Sequence, residues 1–395
     1  MSGSSLKAKS AYCVHNKVEL VRGGKDYFDL LIKMLNEAKE SIHLQVYILN
    51  NDETGRMVID ALEAAARRGV AVYVMVDGYA SQSLPRNTIH QVREAGVNFR
   101  FFEPLLKSNN FYFGRRLHHK VVVVDGLYGM VGGLNIADRY NDMPGIPAWM
   151  DWGIHVEGEV SARLYDVCEE LWKKSSRYVK HEPLHVQLPG SLHKSESRVR
   201  VRRNDWVRNK NQISASYIDM FRQANKEIII MSSYFLPGRV IRKRMEAAAK
   251  RGVSVRLILA GTSDVRIVKF AERYIYSWIF RNRINLYEYQ KNVLHGKLSM
   301  YDDKWVTAGS YNVNFISAYA SIELNLDVAD EQFAKKVKHT IEGIIRKDCI
   351  EITESEYGKK YNIFQRSIHK ISYDLIQMIF FLFTFYFRPG KKGSE

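Results

Sequence analysis

The chain has 395 residues, of which 46% are hydrophobic and 26% charged, and its formal net charge at pH 7 is +16. This length and apolar content fit a folded protein with two ordinary domains and exclude a disordered chain. The excess of Lys and Arg favours an anionic partner, either nucleic acid or an anionic membrane surface. The cysteines Cys13, Cys168 and Cys349 form no C-x-x-C pair, so we expect no disulfide framework and no zinc site. We also expect no signal peptide and no transmembrane helix, because no apolar run is long enough.

Strands and helices alternate along the first half of the chain. After a loose tail at 1–17, apolar residues recur with strand or helix spacing in segments separated by Gly, Asp or Asn. We expect strands at 18–21, 41–49 and 70–78, and helices at about 26–39, 53–69 and 86–95.

The second half repeats the order of the first. The segment LEAAARRGVAVYVMVDG, 62–78, returns as MEAAAKRGVSVRLILAG, 245–261, almost residue for residue. A long aromatic helix at 265–281 and a strand at 284–289 follow. This internal duplication predicts two α/β units, each with helices covering a sheet. The boundary is expected between Tyr178 and Asn211, where prolines and a glycine interrupt the periodicity.

One motif occurs once in each half, with identical spacing. In order, the motif consists of His-x-Lys, four residues of any type, Asp, and six further residues of any type. It ends in Gly, then either Gly or Ser, then one residue of any type, and finally Asn. The copies comprise His118, Lys120, Asp125, Gly132, Gly133 and Asn135, and then His295, Lys297, Asp302, Gly309, Ser310 and Asn312. His and Lys two positions apart lie on the same face of a strand, and the Asp begins a turn into a second strand. Two copies with the same six positions indicate a functional site.

Neither half holds a complete site for phosphoryl chemistry. Two halves packed face to face would place both histidines and both lysines around one phosphate, with the lysines Lys120 and Lys297 offsetting its charge. Asn135, Asn312 and Ser310 would donate hydrogen bonds to the phosphate oxygens. We therefore expect neither a metal ion nor another cofactor.

A nucleophilic imidazole needs a fixed tautomer, which a carboxylate on its other nitrogen usually provides. Glu323 lies 28 residues after His295 and Asp151 lies 33 residues after His118, each at the start of a predicted strand. We expect these acids to orient the histidines, the alternative being two solvated acids at strand ends. Asp125 and Asp302 belong to the catalytic motif, yet their position at turns favours ion pairs or turn hydrogen bonds over direct chemistry.

The paired motif resembles the HKD motifs of the phospholipase D superfamily over roughly residues 18–350. The Gly-Gly of the first copy, followed by LNIADRY, is similar to the bacterial cardiolipin synthase branch, here without the usual N-terminal pair of transmembrane helices. The resemblance implies two tandem repeats, each a mixed sheet flanked by helices, with the active site at their pseudo-twofold interface. The expected divisions are a tail at 1–17, a first repeat at 18–180, a linker at 181–211, a second repeat at 212–350 and a C-terminal segment at 351–395.

The resemblance also implies a reaction. His118 would form a phosphohistidine and His295 would protonate the departing alcohol. A phosphatidyl group would pass from one phosphatidylglycerol to another, with release of glycerol. The alternatives are a phospholipase D hydrolase, a metal-independent nuclease, which the charge of +16 suits equally well, and a non-catalytic lipid-binding protein.

Membrane contact is expected from the C-terminal segment and from basic residues. The apolar run 376–387 would rise about 18 Å as a helix, too short to span a bilayer, and Arg388, Lys391 and Lys392 follow it. We expect an interfacial anchor at the cytoplasmic face of a bacterial membrane, the alternative being a helix packed on the core. Arg115 and Arg116, just before the first motif, are expected to meet a substrate phosphate. No pattern indicates an oligomeric state.

Overall fold

The computed structural model describes residues 11–104, 115–174, 197–208, 210–315, 317 and 321–386. The first repeat begins with a strand and then alternates helices and strands, as its periodicity predicts. Its helices are α1 (Lys25–Glu37), α2 (Glu53–Arg67), α3 (Arg86–Glu94) and α4 (Glu159–Lys174). Its strands are β1 (Asn16–Arg22), β2 (Ser41–Val46), β3 (Ala71–Asp77), β4 (Asn98–Phe102), β5 (Arg116–Leu117), β6 (Lys120–Val124), β7 (Tyr128–Gly132) and β8 (Trp152–Gly158).

The second repeat follows the same order and ends in two additional helices. Its strands are β9 (Arg198–Asp205), β10 (Lys210–Asn211), β11 (Glu227–Ser232), β12 (Ser254–Ala260), β13 (Asn285–Tyr289), β14 (Leu298–Tyr301), β15 (Trp305–Gly309), β16 (Ser321–Ala329) and β17 (Cys349–Glu351). Its helices are α5 (Gln212–Gln223), α6 (Arg239–Lys250), α7 (Arg266–Arg281), α8 (Glu331–Asp348), α9 (Glu354–Lys360) and α10 (Ile363–Tyr386).

Each repeat builds one mixed sheet, which confirms the predicted fold class. The first sheet has the order β1-β8-β7-β6-β2-β3-β4, and the second has the order β10-β9-β16-β15-β14-β11-β12-β13-β17. In both, three neighbouring strands are parallel and the motif hairpin joins them antiparallel.

One expected boundary needs correction. Strand β9 pairs with β16 from Arg198 to Asn204 and with β10 at its end. The segment 198–205, expected within a linker, is therefore part of the second sheet. Residues 175–196, where the rest of the boundary was expected, lie outside the described residues.

The two sheets share a central core. Alternate residues of β6 lie on opposite faces of the first sheet. Val121 and Val123 belong to the central core, whereas Val122 and Val124 pack with the outer helices. The central core also contains residues of β8, β14 and β16 and of the helices α4 and α8. Because β6 is buried on both faces, it reads as a continuous apolar run rather than as an alternating one.

Short backbone ladders cross from one repeat to the other at the motifs. Strand β5 of the first repeat pairs with the start of β16, and the His118 amide donates to the Ile322 carbonyl at 3.0 Å. On the opposite side, Met150 donates to Val293 at 2.8 Å and accepts from the His295 amide at 2.7 Å. Each motif histidine is thus fixed by the backbone of the other repeat.

The motif aspartates anchor the turns of the two hairpins. The Asp125 carboxylate accepts from the backbone amides at the start of β2, including Glu40 at 2.8 Å and Ser41 at 2.9 Å. The Asp302 carboxylate accepts from Asn225, Lys226 and Glu227 at 2.7–2.9 Å. Both acids make the turn hydrogen bonds that their positions predict, and their membership of the catalytic motif stays a prediction.

The C-terminal helix α10 begins well before the apolar run that predicted it. One face packs on α7 and its neighbourhood: Ile376 is buried, and the ring of Phe380 lies 4.7 Å from that of Phe315. The expected anchor therefore also packs on the core. Phe387, Arg388, Lys391 and Lys392 lie outside the described residues. Within the described part of the chain, no helix is both long enough and apolar enough to cross a membrane.

We expect Asp302→Asn to lower stability without changing the chemistry. Asn tolerates the positive φ of 50° at this position, so the loss comes from replacing charged acceptors of three amides. The expected decrease in the free energy of unfolding is about 2 kcal/mol, measured by denaturant titration. Activity per folded molecule should stay at the wild-type level. The exposed Asp60→Ala on α2 is the control, with a change under about 0.5 kcal/mol. A large loss of turnover in folded Asp302→Asn would contradict this role.

Candidate active site

The first motif histidine is oriented by an acid of the second repeat. His118 lies between β5 and β6, and its Nδ1 is 2.8 Å from Oε2 of Glu323 on β16. The carboxylate fixes the proton on Nδ1, so Nε2 keeps its lone pair. The His118 side chain is 18% exposed, whereas Glu323 is fully buried. The imidazole is therefore the part of this pair that a substrate can reach.

The second motif histidine mirrors this arrangement. Nδ1 of His295 lies 2.6 Å from Oδ2 of Asp151, the residue before β8 of the first repeat. Both predicted acids thus bind motif histidines, and the pairing is crossed between repeats. The partners are separated by 205 positions for His118 and by 144 for His295.

The two motif lysines lie in the same buried space. Nζ of Lys120 donates to the His118 carbonyl at 2.9 Å and lies 5.1 Å from the centre of the Tyr47 ring. Nζ of Lys297 donates to the His295 carbonyl and lies 3.2 Å from the same residue's Nδ1. Both ammonium groups are almost fully buried. The structure therefore gathers two imidazoles and two ammonium groups at the interface between the repeats.

Ser310 and Gly133 occupy the same motif position but have different environments. The Ser310 hydroxyl donates to the Glu323 carboxylate and accepts from the Leu324 amide at 3.0 Å. It supports the orienting acid, so its expected role as a phosphate ligand is corrected. At Gly133, a Cβ atom would lie 2.4 Å from both carboxylate oxygens of Asp151. Asp151 is the counterpart of Glu323 but is one methylene shorter. Its carboxylate therefore occupies the space that a serine side chain at position 133 would need.

The motif asparagines are held beside the site by the strands next to them. Oδ1 of Asn135 accepts from the Ile48 amide at 3.1 Å, and its Nδ2 donates to the Tyr140 hydroxyl at 2.9 Å. Oδ1 of Asn312 accepts from the Ser233 hydroxyl at 2.7 Å. With Oδ1 engaged, each amide has its NH₂ group as the donor for an anion.

Burial and mutual repulsion lower the pKa values of the site cations. Burial lowers the pKa of Lys120 to about 7 and also lowers that of Lys297. Burial, with both lysines adding to it, holds the pKa of His295 well below its ordinary value. Burial likewise lowers the pKa of His118, although Glu323 opposes it. A phosphate anion would supply the opposite charge and favour the protonated forms.

The two orienting acids differ in their ionisation. Burial alone would raise the pKa of Glu323, but the charge and hydrogen bond of His118, together with Lys120 and Ser310, hold it below the ordinary value. Burial raises the pKa of Asp151 to about 7, although Lys297 opposes the shift. Glu323 is thus a permanent anion near neutrality, whereas the Asp151–His295 pair gains or loses a proton there.

The arginines before the first motif do not point to a free phosphate site. Arg115 is buried between Asp205, at 3.0 Å, and Glu103, at 2.6 Å. Arg116 contacts Asp77 at 3.5 Å and donates to the Glu103 carbonyl at 3.0 Å. The expectation that these arginines meet the substrate is wrong, because carboxylates of neighbouring elements already bind them.

Aromatic residues that the sequence did not single out surround the histidines. The Tyr47 ring lies 5.0 Å from that of His118. The rings of Tyr140 and Trp149 lie 5.1 and 5.9 Å from that of His295. Arg139 lies over these two rings. Arg139 and Tyr140 follow the motif residue Asn135 within five positions, which is the signal that could have found them.

The site supplies its positive charge through side chains. Within the ranges that the structure describes, no three His, Cys, Asp or Glu side chains form a group suited to a metal ion. Lys120 and Lys297 provide the ammonium groups, and each motif histidine is oriented by a carboxylate through its Nδ1. This arrangement suits displacement at a phosphodiester through a covalent intermediate.

We expect the pKa of Asp151, about 7, to appear in the pH profile. A protonated Asp151–His295 pair can donate the Nε2 proton to a leaving alcohol, and this form disappears as pH rises above about 7. For short-chain phosphatidylglycerol, kcat/KM should fall about tenfold per pH unit above that value. The corresponding p-nitrophenyl ester needs no acid, so its profile should stay flat there. A parallel fall for both esters would assign the effect to Lys120 instead.

The sequence matches the profile of a family described as cardiolipin synthase, PLD-like domain, over residues 31–144 and 217–345. Cardiolipin synthase B of Salmonella typhimurium is 33% identical over 350 residues, which cover 87% of this chain and 84% of that protein. Cardiolipin synthase B of Escherichia coli K12 is 31% identical over the same coverage. Cardiolipin synthase 1 of Staphylococcus aureus is 28% identical and covers 88% of this chain and 70% of its own length.

Solved structures share the fold at low sequence identity. Phosphatidylserine synthase of Haemophilus influenzae superposes with a TM-score of 0.74 at 14% identity, covering 96% of this chain and 98% of its own. Polyphosphate kinase of Porphyromonas gingivalis gives a TM-score of 0.59 at 16% identity, covering 92% of this chain and 53% of its own. The family profile spans both repeats, and the crossed histidine–acid pairs lie between them. The chain therefore belongs to the cardiolipin synthase family of phospholipase D-like proteins.

Proposed function

We propose that this protein is a phosphatidyltransferase that makes cardiolipin from two molecules of phosphatidylglycerol. The observation that carries the proposal is the pair of crossed histidine–carboxylate contacts on either side of two buried lysines. Relatives named cardiolipin synthase, similar over most of their length, support the choice of lipid substrate.

In the first step, Nε2 of His118 attacks the phosphorus of the donor lipid. A phosphorus–nitrogen bond forms, and the bond from phosphorus to the glycerol oxygen breaks. His295 gives its Nε2 proton to that oxygen, and glycerol leaves. Lys120 and Lys297 offset the charge that develops on the non-bridging oxygens. Glu323 stays ionised throughout and stabilises the positive charge on the His118 ring.

In the second step, a hydroxyl of the acceptor lipid replaces glycerol. Nε2 of His295, now deprotonated, takes the hydroxyl proton as the oxygen attacks phosphorus. The bond between phosphorus and His118 breaks, and cardiolipin is released. One phosphodiester is exchanged for another, so the reaction needs no nucleotide.

We also propose that helix α10 lies against a membrane surface. The face of α10 opposite its packed side carries large exposed apolar residues at helical spacing: Phe364, Ile368, Ile371, Leu375, Met378 and Leu382. A lipid surface covers such a stripe, whereas a nucleic acid does not. The stripe therefore favours a lipid substrate over the nuclease alternative and suggests a peripheral attachment that does not span the bilayer.

The two histidines are tested by trapping the covalent intermediate. His118→Ala and His295→Ala should each lower cardiolipin formation by at least about a thousandfold, and the double variant should be no worse. Phosphorus-labelled donor should leave acid-labile label on His295→Ala and none on His118→Ala. Label retained by His118→Ala would reverse the two roles.

The same assay also tests the reaction class. Wild-type protein in EDTA should convert phosphatidylglycerol vesicles to cardiolipin and should not cut plasmid DNA. His90→Ala, at an exposed histidine, is the control. Release of phosphatidic acid alone would favour the hydrolase, and DNA cleavage would favour the nuclease.

Membrane attachment is tested on the exposed face of α10. The triple variant Phe364→Ser, Ile371→Ser and Met378→Ser removes stripe side chains that are 74%, 65% and 53% exposed and leaves the packed Ile376 and Phe380 intact. At roughly 1.5–3 kcal/mol per fully buried side chain, partition into phosphatidylglycerol vesicles should fall at least about a hundredfold.

Turnover of a soluble short-chain substrate should be retained by the triple variant. The control variant Val14→Ser and Val240→Ser changes exposed apolar residues elsewhere and should bind vesicles as the wild type does. Undiminished binding of the triple variant would refute the contribution of this face.

A further inference from the structure

Arg139 and His295 contact the same two aromatic rings, which form a platform for the Arg139 guanidinium. Its guanidinium carbon is 5.3 Å from the centre of the Tyr140 ring and 5.5 Å from that of Trp149. Both rings also contact the His295 imidazole. The Arg139 carbonyl accepts from the Trp149 amide at 2.9 Å, which closes the loop that carries the platform. The Arg139 cation and the His295 imidazole are thus held against the same two rings.

Arg139 differs from Arg115 and Arg116 in having no carboxylate partner among the described residues. Arg115 and Arg116 are bound by carboxylates. No Asp or Glu of the described residues forms an ion pair with Arg139. Its side chain hydrogen-bonds to Tyr140, but its Nε is buried without a hydrogen-bond partner. A buried donor without a partner costs stability, so a group of this kind suits a ligand that supplies an acceptor. A planar, weakly hydrated guanidinium stacked on aromatic rings is well suited to a phosphate.

The sequence of the second repeat does not repeat the Arg-Tyr pair of this platform. Asn135 and Asn312 are equivalent in the two motifs, so the positions that correspond to Arg139 and Tyr140 hold Ile316 and Ser317. At these two motif positions, the cation and its aromatic neighbour belong to the repeat whose residues contact His295. That is the side on which, under the proposed function, glycerol leaves and the acceptor hydroxyl arrives.

We infer that Arg139, stacked on Tyr140 and Trp149, binds the phosphate of the acceptor phosphatidylglycerol. The inference rests on the proposed function and names the feature that selects the second substrate. When the acceptor hydroxyl gives its proton to Nε2 of His295 and attacks the phosphorus on His118, only a glycerol unit separates that hydroxyl from the acceptor's own phosphate. This second anion then lies next to His295, where Arg139 is held. Arg139 positions the acceptor and takes no part in bond making.

The test measures how one phosphatidyl-enzyme divides between two acceptors. Vesicles contain labelled phosphatidylglycerol and monoacylglycerol, which presents a glycerol headgroup without a phosphate. Transfer to phosphatidylglycerol gives cardiolipin, and transfer to monoacylglycerol gives acylphosphatidylglycerol. The ratio of these products reports the choice of acceptor and does not depend on the amount of folded or membrane-bound enzyme. In Arg139→Ala, we expect the ratio to fall about ten- to a hundredfold, the effect of losing a charged hydrogen-bonded contact.

Two further variants complete the experiment. Arg139→Lys keeps the charge but loses the planar fork, so its ratio should lie between those of Arg139→Ala and the wild type. Arg244→Ala removes an exposed arginine on α6 and should keep the wild-type ratio. An unchanged ratio in Arg139→Ala, with cardiolipin still formed, would overturn the role of Arg139 and leave the proposed function standing. Wild-type protein that transfers to monoacylglycerol but makes no cardiolipin would overturn both.

Discussion

The hydrogen bond from each motif histidine to an acid of the other repeat is the contact on which the site depends. It joins Nδ1 of His118 to Glu323 and Nδ1 of His295 to Asp151. Neither repeat alone orients its own motif histidine with a carboxylate. The backbone ladders at Ile322 and Met150 fix the same two histidines from the same directions. The histidine–acid contacts of the site therefore form only when the two repeats pack against each other.

Twofold symmetry at this interface is approximate, and the differences divide the two histidines. Glu323 is supported by a serine hydroxyl and stays ionised, whereas Asp151 is one methylene shorter, lies against Gly133 and has a pKa of about 7. A permanent anion stabilises an imidazole that becomes covalently bound and positively charged. A pair that titrates near neutrality suits proton exchange with an alcohol. The difference in side-chain length thus supports His118 as nucleophile and His295 as acid and base.

The two motif histidines also differ in the residues that surround them. The His295 side carries Tyr140, Trp149 and the cation of Arg139, whereas the His118 side carries Tyr47. The exposed stripe of α10 adds an apolar surface that a bilayer can cover. A basic protein of net charge +16 is also attracted to anionic lipid. Lipid binding and acceptor choice can therefore reside in different parts of the fold from the chemistry.

The sequence by itself determined the duplication, the α/β class, the two motifs and the two orienting acids. These features depend on local periodicity and on spacing within one repeat, so they are readable along the chain. Only the tertiary structure decided which acid serves which histidine, that Arg115 is bound by carboxylates, that Ser310 supports Glu323, and that α10 packs one face on α7. Each of these depends on residues that are distant in sequence and meet only when the elements pack. The pairing of His118 with Glu323 spans 205 positions and both repeats, and no local pattern specifies such a contact.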